Sequence, residues 1–116
     1  MTDRDTSILR HICGYCEEIG AFIERFGRDY QIFISDRAYF NAVSMCLLQI
    51  GEISGSLSEE FRAATSGQIP WPAIRGMRNV VAHDYGSLDE ELVWQTAVDD
   101  IPVLRDFCAS FIQSDE

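Results

Sequence analysis

Proline occurs only at positions 70, 72 and 102, so long helices are permitted through most of the sequence. Over residues 1–69 the apolar residues recur at steps of three and four. Ile8, Ile12, Tyr15, Cys16, Ile19, Phe22, Ile23 and Phe26 form one broad face of an amphipathic helix, and Gly27 is a natural end for it. A second helix is predicted from a cap at Ser35, with Ile34 and Tyr39 as a hydrophobic staple. It carries Tyr39, Phe40, Val43, Cys46, Leu47, Ile50 and Ile53 to about Gly55, where Gly51 and Gly55 mark either fraying or close approach by another backbone. A short third helix runs from a cap at Ser58 to about Thr65. After the loop Gly67–Pro70, Pro72 opens a fourth helix that buries Ile74, Met77, Val80 and Val81 and ends near Asp84–Tyr85–Gly86. A capping box of Ser87 and Glu90 starts the fifth. Pro102 should bend or split that helix, with Asp99 or Asp100 recapping the break. No alternating pattern is sustained; Tyr30–Ile34 comes closest to a strand. The expectation is one domain over residues 1–116, an all-α up-and-down bundle of four to five helices.

A chain of 116 residues buries roughly two-thirds of its unfolded surface, enough to fold without disulfides or metal. The N-terminus lacks a basic-then-apolar leader, and no apolar run approaches the ~20 residues of a membrane span, so a cytoplasmic protein without membrane contact is expected. Cys13, Cys16, Cys46 and Cys108 are then read as reduced. The Cys13–Cys16 spacing has no second pair to complete a zinc site and no preceding strand to make a redox site, so all four are read as packing residues. The formal net charge is −10, and all nine basic residues are arginine. Such an excess of acid argues against nonspecific coating of nucleic acid. It is compatible with a phosphate gripped in a local arginine-lined cleft, where the planar fork bonds two oxygens at once.

Most carboxylates fall on solvated helix faces or at helix starts, where acid complements the dipole. Glu52, set among apolar residues late in the second helix, is either exposed or paired with an arginine of another helix, Arg78 being the obvious candidate. His83, one of two histidines, has the side chain best suited to proton transfer at neutral pH. Arg78 precedes it by five residues, about 140° and about 7.5 Å along a helix, so the pair does not stack. Two such helices about a two-fold axis would set two Arg–His pairs around one groove. That suits RNA cleavage without metal: His83 takes the 2′-hydroxyl proton and Arg78 stabilises the added charge on phosphate.

The run Trp71-Pro-Ala-Ile-Arg-Gly-Met-Arg-Asn-Val-Val-Ala-His-Asp-Tyr85 resembles the signature of the HepT family within the HEPN group, with its R-x-x-x-x-H-x-Y motif. Gln49-Ile-Gly-Glu-Ile53, Val93-Trp94 and Asp99-Asp-Ile-Pro-Val-Leu104 extend the likeness, which spans about residues 36–107. The resemblance implies a helical, homodimeric endoribonuclease toxin with no cofactor or metal. It makes Arg78 and His83 the catalytic pair, with Asn79 orienting the site or contacting phosphate; in so acidic a chain, Arg75 is expected to help bind substrate, and Glu52 to orient the site beside it. Tyr85 matches the tyrosine that a cognate MntA-type nucleotidyltransferase antitoxin modifies with AMP, adding charge and bulk two residues from His83. Two other readings stay open. The chain is a non-catalytic helical partner, the substrate-binding subunit of a minimal nucleotidyltransferase, or an interaction module in which Arg78 and Glu52 form only a structural pair.

Overall fold

The first apolar stripe forms helix α1, Asp3–Phe26, which buries Leu9, Ile12, Cys16, Ile19 and Ile23. It starts in a capping box of Thr2 and Asp5 and ends at Gly27, whose φ of 118° only glycine adopts without strain. The computed structural model describes residues 1–83 and 89–114, with the backbone alone for 79–83 and 114. Short helix α2, Tyr30–Ser35, follows, and α3 spans Arg37–Ser54. Helix α4 is Glu59–Ala64, capped by Ser58 as predicted, and α5 is Trp71–His83. Helix α6, Glu90–Gln95, passes through a π-helical turn, Thr96–Asp100, into α7, Ile101–Ser114.

Three expected details are corrected. Asp36, not Ser35, caps α3: its carboxylate accepts from the amides of Ala38 and Tyr39 at 2.9 and 3.3 Å. The Ser35 hydroxyl instead donates back to the carbonyl of Gln31, 2.7 Å away, and so closes α2. Asp89, not Ser87, caps α6, accepting from the amide of Leu92; Ser87 lies outside the described residues. Pro102 neither splits the helix nor needs a new cap. It has no N–H and would clash with the carbonyl four residues earlier, and the preceding π turn absorbs the misfit by bonding the Ile101 amide to the Thr96 carbonyl.

The result is an all-α bundle, with no strand among the described residues. Helix α3 packs against α1 on one side and α5 on the other, and α7 lies on α1. Two aromatic clusters hold the assembly. Phe33 sits between Tyr39, Phe40 and Trp94, and the Tyr39 hydroxyl donates to the Gly27 carbonyl at 2.9 Å, tying α3 to the end of α1. Phe61, Trp71, Phe107 and Phe111 form the second cluster. Within it the Trp71 indole donates to the Thr65 hydroxyl at 2.8 Å, which itself donates to the Phe61 carbonyl. That relay fixes the start of α5 on the end of α4. Among the described residues no helix is long and apolar enough to cross a membrane.

The four cysteines are free and buried, as the packing reading requires. Burial pushes the Cys108 thiol up to about 12 and that of Cys46 up to about 11, and raises Cys16 further. Protonated thiols of this kind are inert.

Asp5 is the buried charge that matters for the architecture. It is 1% exposed and accepts from the amide and hydroxyl of Ser58, at 2.8 and 2.7 Å, and from the Thr2 amide at 3.1 Å. One carboxylate thus closes the start of α1 and pins the cap of α4 to it. Burial alone would raise its pKa, but the bonds from Ser58 and Thr2 outweigh it and hold the carboxyl below its usual value. A group depressed on folding adds stability above its unfolded pKa and loses it as pH falls through the folded value. Asp5→Ala, which strands two amides, is expected to cost about 2 kcal/mol at neutral pH. Denaturant melts should show the gap between wild type and variant narrowing below about pH 4.

Candidate functional site

Helices α3 and α5 approach each other unusually closely at Gly51. A Cβ at that position would stand 2.8 Å from the Arg78 amide nitrogen, 3.1 Å from the Arg78 Cβ and 3.1 Å from the Ile74 carbonyl oxygen. The backbone of α5 therefore rests against α3 at the residue that bears the motif arginine. Of the two options for Gly51, fraying and close approach, the structure shows the second. Gly55, one turn on, leaves a shelf for a side chain: the Arg75 Nε lies 3.0 Å from where its Cβ would be.

The residue after Gly51 completes the arrangement. The Glu52 carboxylate pairs with Arg78 Nε, and both side chains stay about half exposed, 45% for Arg78 and 56% for Glu52. An ion pair this open contributes about 0–1 kcal/mol, so its value lies in aiming the guanidinium. With Nε engaged by Glu52, the remaining donors of the fork are left for a ligand. Glu52→Gln is accordingly expected to leave the melting temperature within about 2 °C of wild type. If Arg78 acts on RNA phosphate as the family resemblance implies, cleavage of a labelled oligonucleotide should fall roughly tenfold in this variant.

Asn79 follows Arg78 on α5, and His83 is the last residue of that helix. Only their backbone is described, which places His83 on the same continuous helix as Arg78 and about a turn and a half beyond it. Tyr85 and Asp84 lie outside the described residues. Arg37 lies over the Phe40 ring at 4.8 Å, at the far end of α3 from Glu52.

Beside this cluster a groove of about 720 Å³ opens between α4 and the first two turns of α5, lined by Arg62, Arg75 and Arg78 among others. Arg62 did not figure among the sequence candidates. Its only sequence signal is a place directly after buried Phe61 in a short helix.

A family profile described as Ribonuclease HepT-like matches residues 12–111. The chain belongs to the HepT-like ribonuclease family. A candidate RNase of Caldanaerobacter subterraneus subsp. tengcongensis is 32% identical to the HepT-like chain over 93% of it and 94% of the relative. A candidate RNase of Methanocaldococcus jannaschii is 33% identical over 90% of this chain and 89% of its own length. A candidate ribonuclease HepT of Thermococcus cleftensis is 32% identical over 78% and 86% respectively. No solved structure gives a significant match. The family assignment agrees with the expectation drawn from the Trp71–Tyr85 run, and the part of that run from Trp71 to His83 is the helix which Gly51 admits against α3.

Proposed function

We propose that this chain is a metal-independent endoribonuclease, the toxin of a toxin–antitoxin pair, acting in the cytoplasm as a homodimer. His83 accepts the proton of a ribose 2′-hydroxyl, and the 2′-oxygen forms its bond to the adjacent phosphorus. The bond from phosphorus to the 5′-oxygen breaks, that oxygen takes a proton from solvent, and a 2′,3′-cyclic phosphate remains. Arg78, aimed by Glu52, stabilises the charge gathered on the phosphate oxygens. Asn79 and Arg75 contact or orient the substrate. The five-residue spacing sets Arg78 and His83 about 140° apart around α5, and each site takes its arginine from one protomer and its histidine from the other. A cognate MntA-type nucleotidyltransferase silences the enzyme by attaching AMP to Tyr85, whose added phosphodiester repels RNA and blocks the cleft.

The observation that carries the reading is the Arg78–Glu52 pair, held half exposed between α3 and α5 of a chain that matches a ribonuclease family over residues 12–111. The test is to express wild type and His83→Ala alone in bacteria and follow growth and RNA integrity. Wild type should arrest growth with fragmented RNA while the variant does neither; equal outcomes for both would sink the proposal. The net charge of −10 favours a second reading, a non-catalytic substrate-binding subunit of a nucleotidyltransferase. Label transfer from ATP to the chain without any RNA cut would mark that alternative.

A further inference from the structure

The groove between α4 and α5 gathers three of the nine arginines of a strongly acidic chain, Arg62, Arg75 and Arg78. Glu59 is the one acid among its described lining residues. Each arginine is placed by a separate device. Arg78 is aimed by Glu52. Arg75 lies across the Gly55 shelf. Arg62 stands on α4, which Asp5 pins through Ser58 and which Trp71 ties to α5. The Nε of Arg62 is shut off from water yet has no hydrogen-bond partner among the described residues. A cationic donor left in that condition is costly unless an acceptor arrives, and Arg62 is itself part of the groove's lining.

We propose that this groove is a phosphate track, in which Arg62 and Arg75 hold backbone phosphates of single-stranded RNA flanking the bond that is cut. The inference rests on the ribonuclease reading and names a binding element on α4, outside the Arg78–Tyr85 motif. It also accounts for how a chain of net charge −10 holds a polyanion: repulsion from the rest of the surface is answered in one place, by side chains with fixed positions. Arginine suits such a track because its fork bonds two phosphate oxygens. The lining Trp71 is 4% exposed, too buried to stack on a base, so the track reads backbone and carries little sequence preference.

The test uses the full-length protein in two assays. The first measures cleavage of a labelled single-stranded RNA. The second measures anisotropy with a short 2′-O-methyl oligonucleotide, which cannot be cut, across a salt series. Arg62→Gln is expected to raise KM roughly tenfold, with a smaller change in kcat. It should also reduce the slope of log affinity against log salt by about 0.7, the amount lost with one phosphate contact on a single strand. Arg62→Lys, which keeps the charge, should recover most of that slope and guards against a variant that merely unfolds. Arg105→Gln, on α7 and away from the groove, should change neither quantity.

If wild type cuts RNA and Arg62→Gln matches it in KM and salt slope, the track is overturned while the ribonuclease reading stands. A loss confined to kcat would also overturn it. If wild type neither cuts nor binds RNA, the ribonuclease reading fails and takes the track with it.

Discussion

Gly51→Ala should lower the melting temperature by about 10 °C, although the same change in most helices raises it. An alanine inside a helix is normally worth 0.5–1 kcal/mol over glycine because it restricts the unfolded chain. At Gly51 the added methyl would meet the backbone of α5, at the Arg78 nitrogen and the Ile74 carbonyl. Neither can turn aside as a side-chain tip would, so the two helices must separate. Such overpacking costs about 1–3 kcal/mol, near 10 °C for a chain of this size. Gly20 in α1, whose Cβ would meet nothing within 4 Å, is the matched control, and Gly20→Ala should raise the melting temperature by a few degrees. A calorimetric scan of the two variants gives opposite signs if close approach governs Gly51. A rise for both would show that α3 and α5 have slack. Activity should fall with stability in Gly51→Ala, because the displaced segment is the one that carries Arg78.

The largest effect on function is expected from the motif pair. His83→Ala should reduce cleavage by roughly 10²–10⁴-fold, the range that general base catalysis supplies. Arg78→Ala should cost about 10²–10³-fold as the charge on phosphate goes unanswered. The sharper result comes from mixing the two dead proteins after joint denaturation and refolding. When each site draws its arginine and histidine from different protomers, a mixed dimer holds one intact site and one doubly damaged site. Half the dimers of an equal mixture are mixed, so about a quarter of wild-type activity should return. If both residues act within one protomer, the mixture stays as dead as its parts.

Much of the architecture was legible in the sequence because it follows from local rules. The three- and four-residue spacing marked α1 and α3, the serine at 58 marked α4, and Gly27 marked a helix end. The errors fell where two residues compete for one job. Ser35 and Asp36 can each cap a helix, and only the tertiary path decides that the serine closes one while the aspartate opens the next. Pro102 predicts a bend or a split because a π turn has no compositional signature. The pairing of Arg78 with Glu52 could be named from the Gln49–Ile53 and Trp71–Tyr85 runs but not decided, since it depends on how closely two helices approach. Arg62 was out of reach for a different reason: its importance comes from two residues twelve or more positions away, on a helix joined by a loop.

The two tryptophans occupy the two aromatic clusters, Trp94 with Phe33 and Tyr39 and Trp71 with Phe61 and Phe107. Since the sequence holds only these two, the protein carries a pair of built-in optical reporters at different addresses. With Trp94→Phe, the remaining emission comes from the wall of the arginine groove, where an indole bonded to Thr65 is sensitive to any shift of α4 against α5. Occupancy of the groove can then be read by fluorescence with no label attached to either partner, while Trp71→Phe leaves a probe that watches the opposite cluster unfold.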